Sequence, residues 1–179
     1  MLDAAGIEHQ AIAAGVDEAV AKSRLGDPAS LTLELAGAKA AAASARRPQD
    51  WVIGSDSVVS VGGRKFDKAA TRDQAAEHLR LFSGKTMLLT SAVALARGGV
   101  VDWSHCESAT LIVREYSEAF IQAYLDSEWP AVAYCVGVFR IEGPGVQLFD
   151  RIDGDHFTIL GMPLIPLLRA LRERGALSA

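Results

Sequence analysis

The sequence predicts a single α/β domain over residues 1–179, a mixed β-sheet flanked by helices. Three observations carry that expectation. Runs rich in Val, Leu, Ile and Thr occupy 51–60 and 86–116, with glycine turns at Gly62–Gly63 and Gly98–Gly99. An alanine-rich stretch at 31–47 and a tail at 162–177 with leucines three and four apart read as helices instead. Half of the 179 residues are apolar, enough to bury a core without staples. Strands and helices do not alternate strictly, which favours a mixed sheet.

Each element has a local cause. In "GDPAS", Asp27 is placed to cap a helix and Pro28 fits its first position, where a missing N–H costs nothing. The helix should run through "LTLELAGAKAAAASARR", its closing arginines suiting the negative end of the dipole. "TRDQAAEHLRLFSGK" carries a capping box, Thr71 with Gln74, and closes at Gly84. "SEAFIQAYLDSEWP" is a short helix capped by Ser117, with Tyr116 and Ile121 as a hydrophobic staple. Residues 134–152 read as short strands separated by "EGPG", and the tail as an amphipathic helix.

Composition bounds the function. Net charge is −4 and the pI is about 5.5, which argues against a nucleic-acid binder with a broad basic face. Two cysteines, Cys106 and Cys135, make no disulfide framework, so a reducing cytoplasmic setting is expected, with both as small core residues. "MLDAAGIEHQ" lacks the basic and apolar regions of a secretory signal, and no apolar run is long enough for a membrane span.

The misplaced residue is Asp56. "VIGSDSVVSVGGRKFDK", residues 52–68, is an apolar strand with a carboxylate near its middle. A buried carboxylate must be paired, metal-bound or protonated. The plain reading is a strand Asp paired with a lysine. The functional reading groups it with Glu18 in "GVDEAV", Lys39 in the alanine-rich helix, Lys68 in "FDKA" and Lys85 in "SGKT". Two carboxylates and several lysines suit a triphosphate: the acids hold a divalent cation and the amines offset phosphate charge. The strand lacks G-x-x-x-x-G-K-[ST], which excludes a P-loop. His9, His78, His105 and His156 show no metal-ligand spacing; His78 is expected on a helix surface and His156 in a loop. Ser55 and Ser57 read as pocket lining.

"AAGI", "GVDE", "LAGAKA", "IGSDSVV", "SGKT" and "GVFRIEGPGVQLFDRIDGDHFTILGMPL", in that order, resemble the Maf family of nucleoside triphosphate pyrophosphatases over nearly the whole chain. The resemblance implies a Maf/ITPase-like fold and release of pyrophosphate from a nucleoside triphosphate. Asp56 matches the catalytic aspartate, Glu18 the glutamate of the "DE" segment, Lys39 the lysine of the "KA" helix and Lys68 that of the "GKP" turn. Ser57 and Glu142 match positions tied to base choice, and Lys85 is a weaker phosphate candidate. Asp56 and Glu18 would hold Mg²⁺, with Mn²⁺ or Co²⁺ as substitutes.

Three departures stand out. Members usually begin with a strand and a loop "LAS-x-S-x-R-R"; "MLDAAGI" falls just after it, so the first family strand and part of the phosphate grip are expected to be missing. The "GKP" turn reads "DKA", with Ala69 in place of proline. "YCVGVFRIEG" carries Cys135, Phe139 and Glu142, closer to the branch acting on 7-methyl-GTP. The resemblance also implies a house-cleaning role, removing modified nucleotides, and a homodimer. The alternative is a nucleotide-binding regulatory protein of the same fold with little turnover.

Overall fold

The computed structural model describes residues 1–178. The elements are α1 (Ala19–Arg24), α2 (Pro28–Ala45), β1 (Val52–Val61), β2 (Arg64–Phe66), α3 (Arg72–Phe82), β3 (Thr86–Arg97), β4 (Val100–Val113), α4 (Glu118–Glu128), β5 (Phe149–Asp153), α5 (His156–Ile159) and α6 (Leu164–Glu173). The five strands lie in the order β2-β1-β3-β4-β5, with β1–β2 and β4–β5 antiparallel. The α/β class expected from the sequence is present. Among the described residues no helix is long and apolar enough to cross a membrane.

The chain forms two compact units. The first takes in Met1–Asp56, Ser91–Glu107 and the segment from His156; the second takes in Ser57–Thr90 and Ser108–Asp155. Strands β1, β3 and β4 pass from one unit to the other along the chain.

In the first unit α2 begins as its sequence dictates. The Asp27 carboxylate accepts from the Ser30 N–H at 2.8 Å, with Pro28 in the first turn. The helix buries Leu31, Leu35, Ala36, Ala40 and Ala43. Ala36 and Ala40 pack with Ala92, Ala94 and Ala96 of β3 in a cluster of small side chains. Small residues on both faces let helix and strand approach closely. Arg46 and Arg47, expected to serve the helix dipole, instead reach the N-terminal segment: Arg46 donates to the Ala13 and Ala14 carbonyls and Arg47 to Gln10 Oε1. The tail helix α6 buries Leu164, Leu167, Ala170 and Leu171 against Val93 and Leu95, as its leucine spacing predicts. Two short helices, α1 and α5, had no expectation in the sequence, and α5 takes up His156 where a loop was expected.

In the second unit Thr71 caps α3 by accepting from the Gln74 N–H at 3.1 Å. The Gln74 side chain reaches one residue further back than a capping box does, to the Ala70 N–H at 2.8 Å. Ser117 caps α4 through the Phe120 N–H, and Tyr116 stacks on Phe120 with ring centroids 5.5 Å apart.

Three expectations need correction. Residues 134–152 hold one strand, β5, preceded by 3₁₀ turns at Ala131–Tyr134 and Pro144–Leu148. Pro144 and the glycines around it favour tight turns over a ladder. Cys106 and Cys135 are half-buried, not core, and burial pushes both thiols up. His78 is buried, not exposed: it lies edge-on to Phe66 at 5.2 Å, and its Nδ1 has no hydrogen-bond partner.

Burial, with Arg64 adding to it, lowers the His78 pKa below 6.5. The folded state therefore holds fewer protons than the unfolded chain, so this group's contribution is complete above pH 6.5 and is lost as pH falls below that value. Thermal melts at pH 7.5 and 5.5 should show a larger fall in Tm for the wild type than for His78→Phe. Equal falls would remove His78 as the source.

Candidate active site

The site is built where α2 meets β1. Gly54 of β1 faces Ala36 and Ala40 of α2 so closely that a Cβ would lie 2.3 Å from the Ala36 carbonyl oxygen and 2.6 Å from the Ala40 nitrogen. Only glycine permits that approach. It sets Lys39 of α2 against Asp56, two residues along β1. The Lys39 Nζ donates to Asp56 Oδ1 at 2.6 Å. The same ammonium sits 2.8 Å from Glu18 Oε1, and Lys22 pairs with Glu18 Oε2 at 3.0 Å, one helical turn on.

One lysine thus bridges two carboxylates, and its side chain is 24 % exposed against 12 % for Asp56 and 32 % for Glu18. Burial raises the Asp56 carboxyl above the ordinary range, and the Lys39 ammonium pulls the other way. The hydrogen bond from Lys39 lowers Glu18, although burial opposes it. Burial disfavours the Lys39 charge most strongly of any single cause, but the two acids together outweigh it and raise its pKa. The cluster therefore holds two acids in unequal environments, the condition under which carboxylates take different chemical roles.

Glu18, Lys39 and Ser55 line a groove of about 1050 Å³ within the first unit, which extends past the N-terminal segment to Arg47 and Trp51. Asp56 itself does not line it, but both of its cluster partners do. The volume is at the upper end of the range for small-molecule sites.

Among the described residues no group of three or more His, Cys, Asp and Glu is placed to hold a metal. The two acids nevertheless fit Mg²⁺. That ion takes one or two carboxylates and completes its shell with phosphate oxygens and water, and here two carboxylates already share one positive charge.

The remaining candidates belong to the second unit. Ser57, the residue after Asp56, is half-buried. Lys68 is exposed and has no ion-pair partner among the described residues. Glu142 is exposed in the turn before Pro144. Lys68 and Glu142 both act electrostatically on the Cys135 thiol, after its burial, Glu142 raising its pKa and Lys68 lowering it. The Lys85 ammonium donates to the Leu81 carbonyl at 2.7 Å, which satisfies an open acceptor in the last turn of α3. Lys22 was absent from the sequence-based set, and its four-residue spacing from Glu18 was the signal that could have found it.

The chain matches the model of the Maf-like protein family over residues 1–174. It is 43 % identical to a nucleoside triphosphate pyrophosphatase of Granulibacter bethesdensis, over 99 % of this chain and 92 % of that protein. A 7-methyl-GTP pyrophosphatase of Rhizobium meliloti is 42 % identical over 100 % of this chain and 92 % of its own. A nucleoside triphosphate pyrophosphatase of Bradyrhizobium diazoefficiens is 45 % identical over 97 % and 87 %. With a family match over nearly its full length and relatives at this identity, the chain belongs to the Maf family.

Proposed function

We propose that this protein is a nucleoside triphosphate pyrophosphatase that cleaves between the α- and β-phosphates and favours 7-methyl-GTP or another guanine-type base. The observation that carries the reading is the Glu18–Lys39–Asp56 cluster at a groove large enough for a nucleotide. The names of those three relatives, two general and one for 7-methyl-GTP, support the same reaction class.

Asp56 accepts a proton from the attacking water or shares the divalent ion with Glu18; its raised pKa makes it a better base than an exposed aspartate. A divalent ion, which Asp56 and Glu18 would hold, would stabilise charge on the phosphates and lower the pKa of a bound water. Lys39, released from one acid when polyphosphate enters, offsets charge that grows on the bridging and leaving oxygens, and Lys68 does the same. Ser57 and Glu142 read the base. A carboxylate accepts from both the exocyclic amine and the ring N–H of guanine, which an amide does only in part. Removal of modified nucleotides from a cytoplasmic pool, by a homodimer, belongs to the same proposal.

Pyrophosphate release from 7-methyl-GTP, GTP, dTTP and UTP with Mg²⁺ tests it. The expected order puts 7-methyl-GTP first, and Glu142→Gln should lower kcat/KM for 7-methyl-GTP more than for UTP or dTTP. A uniform loss would remove the guanine assignment, and tight nucleotide binding without release would favour a regulatory binder.

A further inference from the structure

Helix α4 holds the loop that carries Glu142 at two points. Tyr124 and Glu128 lie four residues apart and so project from one face of α4. The buried Tyr124 hydroxyl donates to the Val138 carbonyl at 2.9 Å. Glu128, 4 % exposed, accepts from Arg140 Nε at 3.1 Å and Nη2 at 3.0 Å, both through Oε2. The two held residues are themselves two apart, and Glu142 follows two residues later.

The loop between these points is strained. Val138 has φ of 60°, a conformation that a β-branched side chain rarely adopts, and its side chain is fully buried. Such a residue persists only where its surroundings over-determine it, and these cluster at ligand-contacting segments. On the far side, the Arg140 carbonyl accepts from the Gly143 N–H at 3.2 Å. Gly145 packs so tightly that a Cβ would lie 2.5 Å from that carbonyl oxygen. Arg140 is therefore fixed at its side chain by Glu128 and at its backbone by the turn that contains Glu142. A buried carboxylate in an ion pair gives little net stability after desolvation, and in some proteins such a pair serves instead to fix one conformation.

We infer that Tyr124 and Glu128 are positioning residues that set the Glu142 carboxylate for base recognition; the inference rests on the role given to Glu142 above. They act through the loop rather than on the nucleotide.

A double-mutant cycle tests this, with kcat and KM measured for 7-methyl-GTP and UTP in Glu128→Gln, Glu142→Gln and the double variant. Glu128→Gln should raise KM for 7-methyl-GTP roughly tenfold, with kcat and the UTP constants within about twofold. In the Glu142→Gln background the same change should not alter the 7-methyl-GTP/UTP ratio further, because the group it positions is already gone. Tyr124→Phe removes one oxygen and keeps the ring; it should shift the ratio in the same direction and stands in if Glu128→Gln does not fold. Equal losses on both nucleotides, or additive effects in the double variant, overturn the inference and leave the Glu142 assignment standing. An unchanged ratio in Glu142→Gln itself overturns both.

Discussion

Asp56→Asn should lower kcat for pyrophosphate release by about 10³-fold or more, the upper part of the range for loss of a positioned general base. The substitution keeps the shape of the side chain and removes its charge. Lys39 then loses one acid but keeps Glu18 Oε1 at 2.8 Å, and the amide oxygen still accepts from its ammonium. Burial that disfavours the Asp56 charge no longer opposes folding in the variant. Its Tm should therefore stay within a few degrees of the wild type. A variant that retained wild-type turnover would show that Asp56 is only the lysine-paired strand residue of the plain reading.

Gly54→Ala is the second large effect, and it acts through packing. The added Cβ would lie 2.3 Å from the Ala36 carbonyl oxygen, 2.6 Å from the Ala40 nitrogen and 3.0 Å from the Ala40 Cβ. Two of these neighbours are backbone atoms in a helix, so no rotamer change relieves the contact. Overpacking of one methyl group usually costs 1–3 kcal/mol, and here about 3 kcal/mol or more is expected, a fall in Tm of roughly 6 °C or more. Whatever relief occurs must shift α2 or β1, which carry Lys39 and Asp56. Activity should fall together with stability. Full activity in a variant that melts like wild type would mean that the close approach does not set the Lys39–Asp56 contact.

Much of the fold was legible because its causes are local. Asp27 with Pro28, the Thr71 cap of α3 and the Gly98–Gly99 turn each act within a few residues, and each is found where the sequence places it. Misreadings arose where tertiary packing wins. "YCVGVFRI" alternates like a strand, but Gly137 and Val138 both take positive φ and the loop is fastened to α4. His78, expected on the helix surface, is buried. Its spacing from Ala75, Leu79 and Phe82 put it on the buried face of α3, and the periodicity contained that answer.

The candidate site was legible in part for the same reason. Asp56 stood out as a charge in an apolar strand. Which of four partners it meets depends on how α2 crosses β1 at Gly54, a contact between residues far apart in sequence. The structure selects Lys39 directly and Glu18 through it, and it gives the Lys85 ammonium a carbonyl in α3. The roles of Lys68, Ser57 and Glu142 rest on the family resemblance alone, and substitution is their test.

Product stoichiometry with 7-methyl-GTP and Mg²⁺ is the most direct test of the account as a whole. One pyrophosphate should appear for each nucleoside monophosphate, with release abolished when EDTA removes the ion. Orthophosphate with a nucleoside diphosphate, or full turnover in EDTA, would contradict it.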